Sequence, residues 1–252
     1  MKNKLALALA AALFALPTFA MAQDDSTSDD SATADQAAPA EEAPAADEAE
    51  SPFSWNLSLT SDYVFRGVSQ TDREPAVQGG LDYSFSNGFY VGMWGSNVDF
   101  NDSAGPDMEL DTYVGWNHDL SDDWNLDLML TRYNYFGERN YYGSVDYNEF
   151  VGKITYGGVY TFTTAYANDY ANLNFSSWYY NLGAAWDLGN DWGLNAGIGH
   201  TQFGDNNGSY NDWNLGVSKT WKSLTTSLNY YDTNLSGPRA SDSIVLSFEI
   251  DG

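Results

Sequence analysis

From Phe53 onward the chain alternates apolar and polar residues with a period of two. Trp124, Leu126, Leu128 and Leu130 interleave with Asn125, Asp127, Met129 and Thr131. Leu110, Val114, Trp116 and Leu120 share one parity, while Glu109, Asp111, Asn117 and Asp119 share the other. The same alternation runs through Trp178–Trp186, Trp192–Ile198, Trp213–Val217, Leu224–Tyr230 and Ile244–Ile250. Successive side chains of a strand point to opposite faces, so this pattern predicts half-buried β-strands rather than helices. Twelve strands are expected, near 55–66, 76–85, 89–100, 108–120, 124–136, 147–156, 159–169, 177–188, 192–203, 211–221, 224–232 and 243–250. In the third, Phe89, Val91 and Met93 favour one face but Tyr90, Trp94, Val98 and Phe100 the other, which predicts a bulge near Gly95.

The connections sharpen the architecture. Ser86-Asn87-Gly88, Ser121-Asp122-Asp123, Gly157-Gly158, Gly189-Asn190-Asp191 and Lys222-Ser223 are tight-turn sequences. Longer polar loops fall between them, near 67–75, 101–107, 137–146, 170–176, 204–210 and 233–242. Strict alternation of short and long connections is the signature of an antiparallel up-and-down barrel, with turns on one rim and loops on the other. Both ends of the barrel segment then lie on the turn side. A soluble β-sandwich is the competing reading. Against it, the polar face is Asn, Asp, Thr, Ser and Gly, nearly free of the Lys and Glu that coat soluble sheets. Trp55, Trp116, Trp124, Trp186, Trp192 and Trp221 fall near the turn rim, and Trp94, Trp178 and Trp213 nearer the loop rim, as in the aromatic girdles of a transmembrane barrel.

Composition removes other classes. The chain has 252 residues, with 35 acidic against 10 basic side chains and a formal charge of -25. Nucleic-acid binding needs a basic surface and is not expected. Cysteine is absent, so disulfide, thiolate and cysteine-metal chemistry are excluded. Lys2 and Lys4, the apolar run Leu5–Leu16, Pro17 and the Ala20-Met21-Ala22 site read as a cleaved secretion signal over residues 1–22. Residues 23–52 hold ten acidic and no basic side chains among Ala, Ser, Thr and Pro, which predicts a disordered acidic linker. The barrel segment, 53–252, keeps 25 acidic and 8 basic residues.

One stretch carries a specific motif. Ser61-Asp62-Tyr63-Val64-Phe65-Arg66-Gly67-Val68-Ser69-Gln70-Thr71 precedes Pro75-Ala76-Val77-Gln78-Gly79-Gly80 and Tyr83. Gly88-Phe89-Tyr90-Val91-Gly92-Met93-Trp94-Gly95-Ser96-Asn97-Val98 follows, then Glu109, Asp111, Tyr113 and Gly115. This resembles the TorF family of porin-like proteins of proteobacterial outer membranes. The resemblance implies an outer-membrane barrel of channel function, without a named solute. The sequence departs from common barrel practice at its end, where Phe248 is followed by Glu249, Ile250, Asp251 and Gly252 rather than closing on an aromatic.

With the apolar set facing lipid, Asp62, Arg66, Asp82, Glu109, Asp111, Asp127, Glu149 and Lys153 become candidate pore-lining residues. Acids outnumber bases among them, which predicts a weak cation preference in a small-solute channel. Arg66 and Lys153 are expected to pair with carboxylates. The alternative is a barrel whose lumen is closed by polar contacts, structural or adhesive in role. Arg132 has lipid-facing parity near the loop rim, where it can reach lipopolysaccharide phosphate. Expected partners are outer-membrane lipid and lipopolysaccharide, the barrel-assembly machinery and small solutes. No catalytic residues, metal or cofactor are expected. His200 has Gln202, and His118 has Leu120, where an outer-wall His–Ser hydrolase needs a nucleophile. The Asp-rich loops lack the ligand pattern of an EF-hand.

Overall fold

The computed structural model describes residues 51–102, 105–137 and 144–252. The expected secretion signal, 1–22, and nearly all of the expected acidic linker, 23–52, lie outside them. Twelve antiparallel strands close into one barrel. They are β1 (Phe53–Thr60), β4 (Ala76–Ser84), β5 (Phe89–Asn97), β6 (Met108–Ser121), β7 (Trp124–Phe136), β8 (Tyr147–Tyr156), β9 (Tyr160–Ala167), β10 (Ser177–Gly189), β11 (Trp192–Phe203), β12 (Ser209–Trp221), β13 (Leu224–Thr233) and β14 (Ser243–Asp251). Each pairs with its sequence neighbour, and β1 pairs with β14 to close the seam. A separate two-stranded ribbon, β2 (Val64–Phe65) and β3 (Val68–Ser69), lies between β1 and β4.

The alternation of turns and loops holds throughout. At the turn end, left-handed backbone at Gly157 and Gly158 and at Asn190 and Asp191 gives tight reversals whose twist suits antiparallel strands. The barrel is inside-out relative to a soluble protein. Leu57, Leu59, Val77, Leu130, Leu182, Ile198, Leu215 and Ile244 are all exposed on its outer wall, Ile244 to 70%. Such a continuous apolar band is stable facing lipid, and strand pairing satisfies its backbone polar groups.

Two expectations are corrected. The strand β5 contains no bulge: its register to β4 and to β6 runs unbroken from Tyr90 through Ser96. Its mixed parity reflects two apolar environments, because Phe89, Val91 and Met93 face out while Trp94 is buried inside. Trp94 is therefore not a girdle residue. It stacks edge-on with Tyr63 at 5.4 Å between ring centroids. The second correction concerns the first strand, which stops at Thr60 instead of continuing to residue 66.

Candidate functional site

Beyond Thr60 the chain turns into the barrel. The Thr60 hydroxyl donates to the Asp62 carbonyl at 2.9 Å. The Asp62 carboxylate then accepts from Ser69 Oγ at 2.6 Å and Thr71 Oγ1 at 3.1 Å, pinning both legs of the β2–β3 ribbon together. Burial pushes the Asp62 carboxyl up, against those hydroxyl bonds and the charges of Arg73 and Arg239. Arg66 and Gly67 form the tip, both left-handed, at φ 43° and 76°. That is the backbone of a two-residue hairpin turn, where Gly is favoured and Arg is not. Arg66 is held there by its contacts. Its Nη2 lies 2.9 Å from both Glu149 oxygens on β8, and its guanidinium lies 4.1 Å from the Tyr179 ring centroid on β10. A Cβ on Gly67 would sit 2.3 Å from Thr233 Cγ2 and 3.0 Å from Asp212 Cβ. The ribbon therefore reaches across the lumen from the seam to the opposite wall.

Around this insert the loop-end half of the barrel is filled. Tyr133 and Tyr147 stack at 4.5 Å, and Tyr135, Tyr179, Phe203 and Tyr210 are likewise buried on the inner wall. Tyr133 Oη donates to Glu149 at 3.2 Å, and Tyr179 Oη to Asp212 at 3.2 Å. Two arginines clasp the insert from the loops. Arg73 donates to the carbonyls of Pro238 and Ser241 at 2.7 and 2.6 Å, and Arg239 to those of Ser69 and Phe100 at 2.8 and 3.1 Å.

The turn-end half is different. Its inner wall is Asn125, Asp127, Lys153, Thr155, Thr161, Thr163, Asn181, Gly183, Asn195, Gly197, Ser218, Thr220, Thr225, Ser227, Ser247 and Glu249, all only partly buried. These small polar side chains keep partial exposure, and we call the lumen they line the vestibule. Tyr90 and Tyr113 lie flat against this wall because their cross-strand partners are Gly115 and Gly92. A Cβ on Gly115 would meet the Tyr90 ring at 2.2 Å. Tyr90 donates to Asp127 at 2.7 Å and Tyr113 to Asp82 at 2.6 Å.

The eight candidate pore-lining residues thus divide. Asp127 and Lys153 face the vestibule, opposite each other in register. Asp82 is buried beneath Tyr113. Glu109, Asp111 and Glu149 point inward but are fully buried, and Asp62 and Arg66 belong to the insert rather than to a strand. The expected pairing of Arg66 with a carboxylate is present, to Glu149. The insert itself was missed at the sequence level, since Tyr63 and Phe65 continue the odd parity of Trp55, Leu57 and Leu59. The signal against a strand was the Arg66-Gly67 pair, a hairpin tip. Trp55, Trp124, Trp192 and Trp221 are exposed on the outer wall near the turn end, while Trp116 and Trp186 share that face half-buried.

Arg132 lies on the outer face of β7 and pairs with Asp146 at 3.4 Å. His200 Nδ1 lies 2.8 Å from Asn211 Oδ1 on the outer wall. Among the described residues, no three His, Cys, Asp or Glu side chains form a metal-holding group.

Comparison with solved structures yields barrels of similar extent. The structure reported as "Unveiling the Mechanism Behind the in-meso Crystallization of Membrane Proteins" aligns with a TM-score of 0.52 at 11% identity, over 79% of this chain and 83% of that one. The KdgM porin aligns with a TM-score of 0.46 at 7% identity, over 79% and 96%. LpxR from Salmonella typhimurium aligns with a TM-score of 0.44 at 9% identity, over 79% and 99%. At these identities the likeness concerns the fold alone. The search of curated proteins gives no match. Residues 45–244 match the family described as "Bacterial protein of unknown function (Gcw_chp)". That match covers the insert and the strands from β1 through β13, and the chain belongs to this bacterial family.

Proposed function

We propose that this protein is a porin-like outer-membrane barrel that passes small solutes passively, with its loops outside and both ends of the barrel periplasmic. The observation that carries this reading is the vestibule. An inner wall of partly exposed Gly, Ser, Thr and Asn suits water and small polar solutes. In this reading the β2–β3 insert is the constriction, and flux depends on how far it yields. The TorF-like motif opens on this insert at 61–71 and continues through β4 and β5 into β6.

Asp127, Glu249 and Asp251 outnumber Lys153 on the vestibule wall, favouring a weak cation preference. Arg132, outside near the loop rim, is positioned for lipopolysaccharide phosphate, and folding in the cell relies on the barrel-assembly machinery. The protein works without catalytic residues or cofactor. A second reading, a closed barrel of structural or adhesive role, is favoured by the packing of the loop-end half.

Planar-bilayer recording separates the two. The channel reading expects discrete conductance from the inserted protein, a reversal potential favouring potassium over chloride, and a smaller preference in Asp127→Asn. Membranes that stay silent at every voltage with folded protein inserted overturn it in favour of the closed barrel.

A further inference from the structure

The packed half contains two acidic groups that the fold leaves without a basic partner. Glu109 and Asp111 lie two residues apart on the inner face of β6, about 7 Å by strand rise. Both are 0% exposed, and none of their four carboxylate oxygens accepts a hydrogen bond of regular geometry. Their interactions are with each other, with the Tyr63 and Tyr135 hydroxyls beside Glu109 and with Glu149, and none of these is a Lys, Arg or His. Arg66 is engaged by Glu149 instead. Water does not resolve the problem, because these oxygens are sealed from any water-sized contact.

The surroundings supply more oxygen. Tyr135 faces Glu109 across the β6–β7 ladder, and Tyr63 approaches it from the insert. Both side chains are more than nine-tenths buried, and their hydroxyls lie against Glu109 without completing a hydrogen bond of regular geometry. Thr131 Oγ1, on the same inner face of β7, is equally unpartnered and fully buried. Buried polar groups without partners are rare in folded proteins and call for a missing ion or bound group. Two carboxylates and neutral hydroxyls form a hard, all-oxygen donor set with a charge that matches a divalent cation.

We propose that Glu109 and Asp111, completed by the Tyr63 and Tyr135 hydroxyls, bind a single desolvated calcium ion inside the loop-end half of the barrel. The ion ties the insert, through Tyr63, to β6 and β7. This site stands whether or not the barrel conducts.

The test uses the full chain folded in detergent without lipopolysaccharide. Terbium substitutes for calcium and is excited through nearby tyrosines. The acidic stretch 23–52 contains no Tyr or Trp, and any emission from terbium bound there is unaffected by substitutions at Glu109 or Asp111. The expected result is saturable tyrosine-sensitised emission that calcium displaces and that Glu109→Gln and Asp111→Asn each abolish, with folding of both variants verified by heat-modifiable mobility. Emission that is absent from the wild type, or unchanged in both folded variants, overturns the site. Should the variants not fold, the wild type decides: it is expected to retain calcium after gel filtration and to unfold at a higher temperature than in EDTA. A calcium-free protein with identical unfolding in both buffers overturns the proposal and leaves the two carboxyls sharing a proton.

Discussion

The two halves of this barrel are built on one wall to opposite rules. The same strands supply both, and both faces keep the period-two alternation. At the loop end the inward positions are Tyr, Phe, Glu and Asp, buried around the insert. At the turn end they are Gly, Ser, Thr and Asn, partly open to solvent. A closed sheet of this size leaves space that must be filled by side chains, by an inserted segment or by water. The difference teaches that the pore of such a barrel is decided by the choice of inward residue along each strand, and not by strand number alone.

Removing the insert is the strongest way to break this contrast. Replacing Asp62–Thr71 with a short Gly-Ser linker is expected to open the loop-end half and raise single-channel conductance several-fold, with the barrel still heat-modifiable on gels. Unchanged conductance would mean that the tyrosines alone close the lumen. Next comes Arg66→Ala. It leaves Glu149 buried and uncompensated, which costs about 3–5 kcal/mol. Denaturant titration in micelles measures this, and Glu149→Gln in the same background is expected to recover part of the loss.

Gly67→Ala is a smaller perturbation of the same region. The added Cβ meets Thr233 on a left-handed backbone, with an expected destabilisation of about 1–3 kcal/mol. The mildest test exploits the absence of cysteine. Thr163→Cys in the vestibule is expected to react with a membrane-impermeant thiol reagent added from the turn side. Its stability should change by less than about 0.5 kcal/mol, because the site is partly exposed and unpacked. Thr201→Cys, in the packed half, is expected to stay unreactive until the protein unfolds. Equal labelling of the two would erase the distinction between the halves.

The sequence exposed the barrel almost completely, and for a physical reason. Period two, tight turns and alternating connection lengths are local, and lipid outside with polar groups inside leaves each strand one workable parity. Strands such as β7 and β8 therefore have the bounds read from the pattern. The insert was illegible because its apolar residues serve a different interior. Tyr63 and Phe65 are buried in the lumen, yet they sit at the parity where lipid-facing residues would be expected. Trp94 misled in the same way. Parity reveals which face a side chain takes, whereas burial on that face depends on what crosses the lumen, a long-range contact. The Arg66–Glu149 pair, separated by 83 positions, is of that kind.

The position of the insert in the chain also constrains how the molecule is assembled. It follows β1 directly, and β1 closes the wall by pairing with β14, where Trp55 and Gly252 exchange backbone hydrogen bonds at 2.8 and 3.0 Å. Those contacts span the whole length of the barrel sequence and are slow to find. The ribbon contacts β8, β10 and β12 from within, so its seating depends on strands far along the chain that must already be placed. Mutations at its tip should then reveal themselves first as slow or misthreaded folding, with the finished barrel the later casualty.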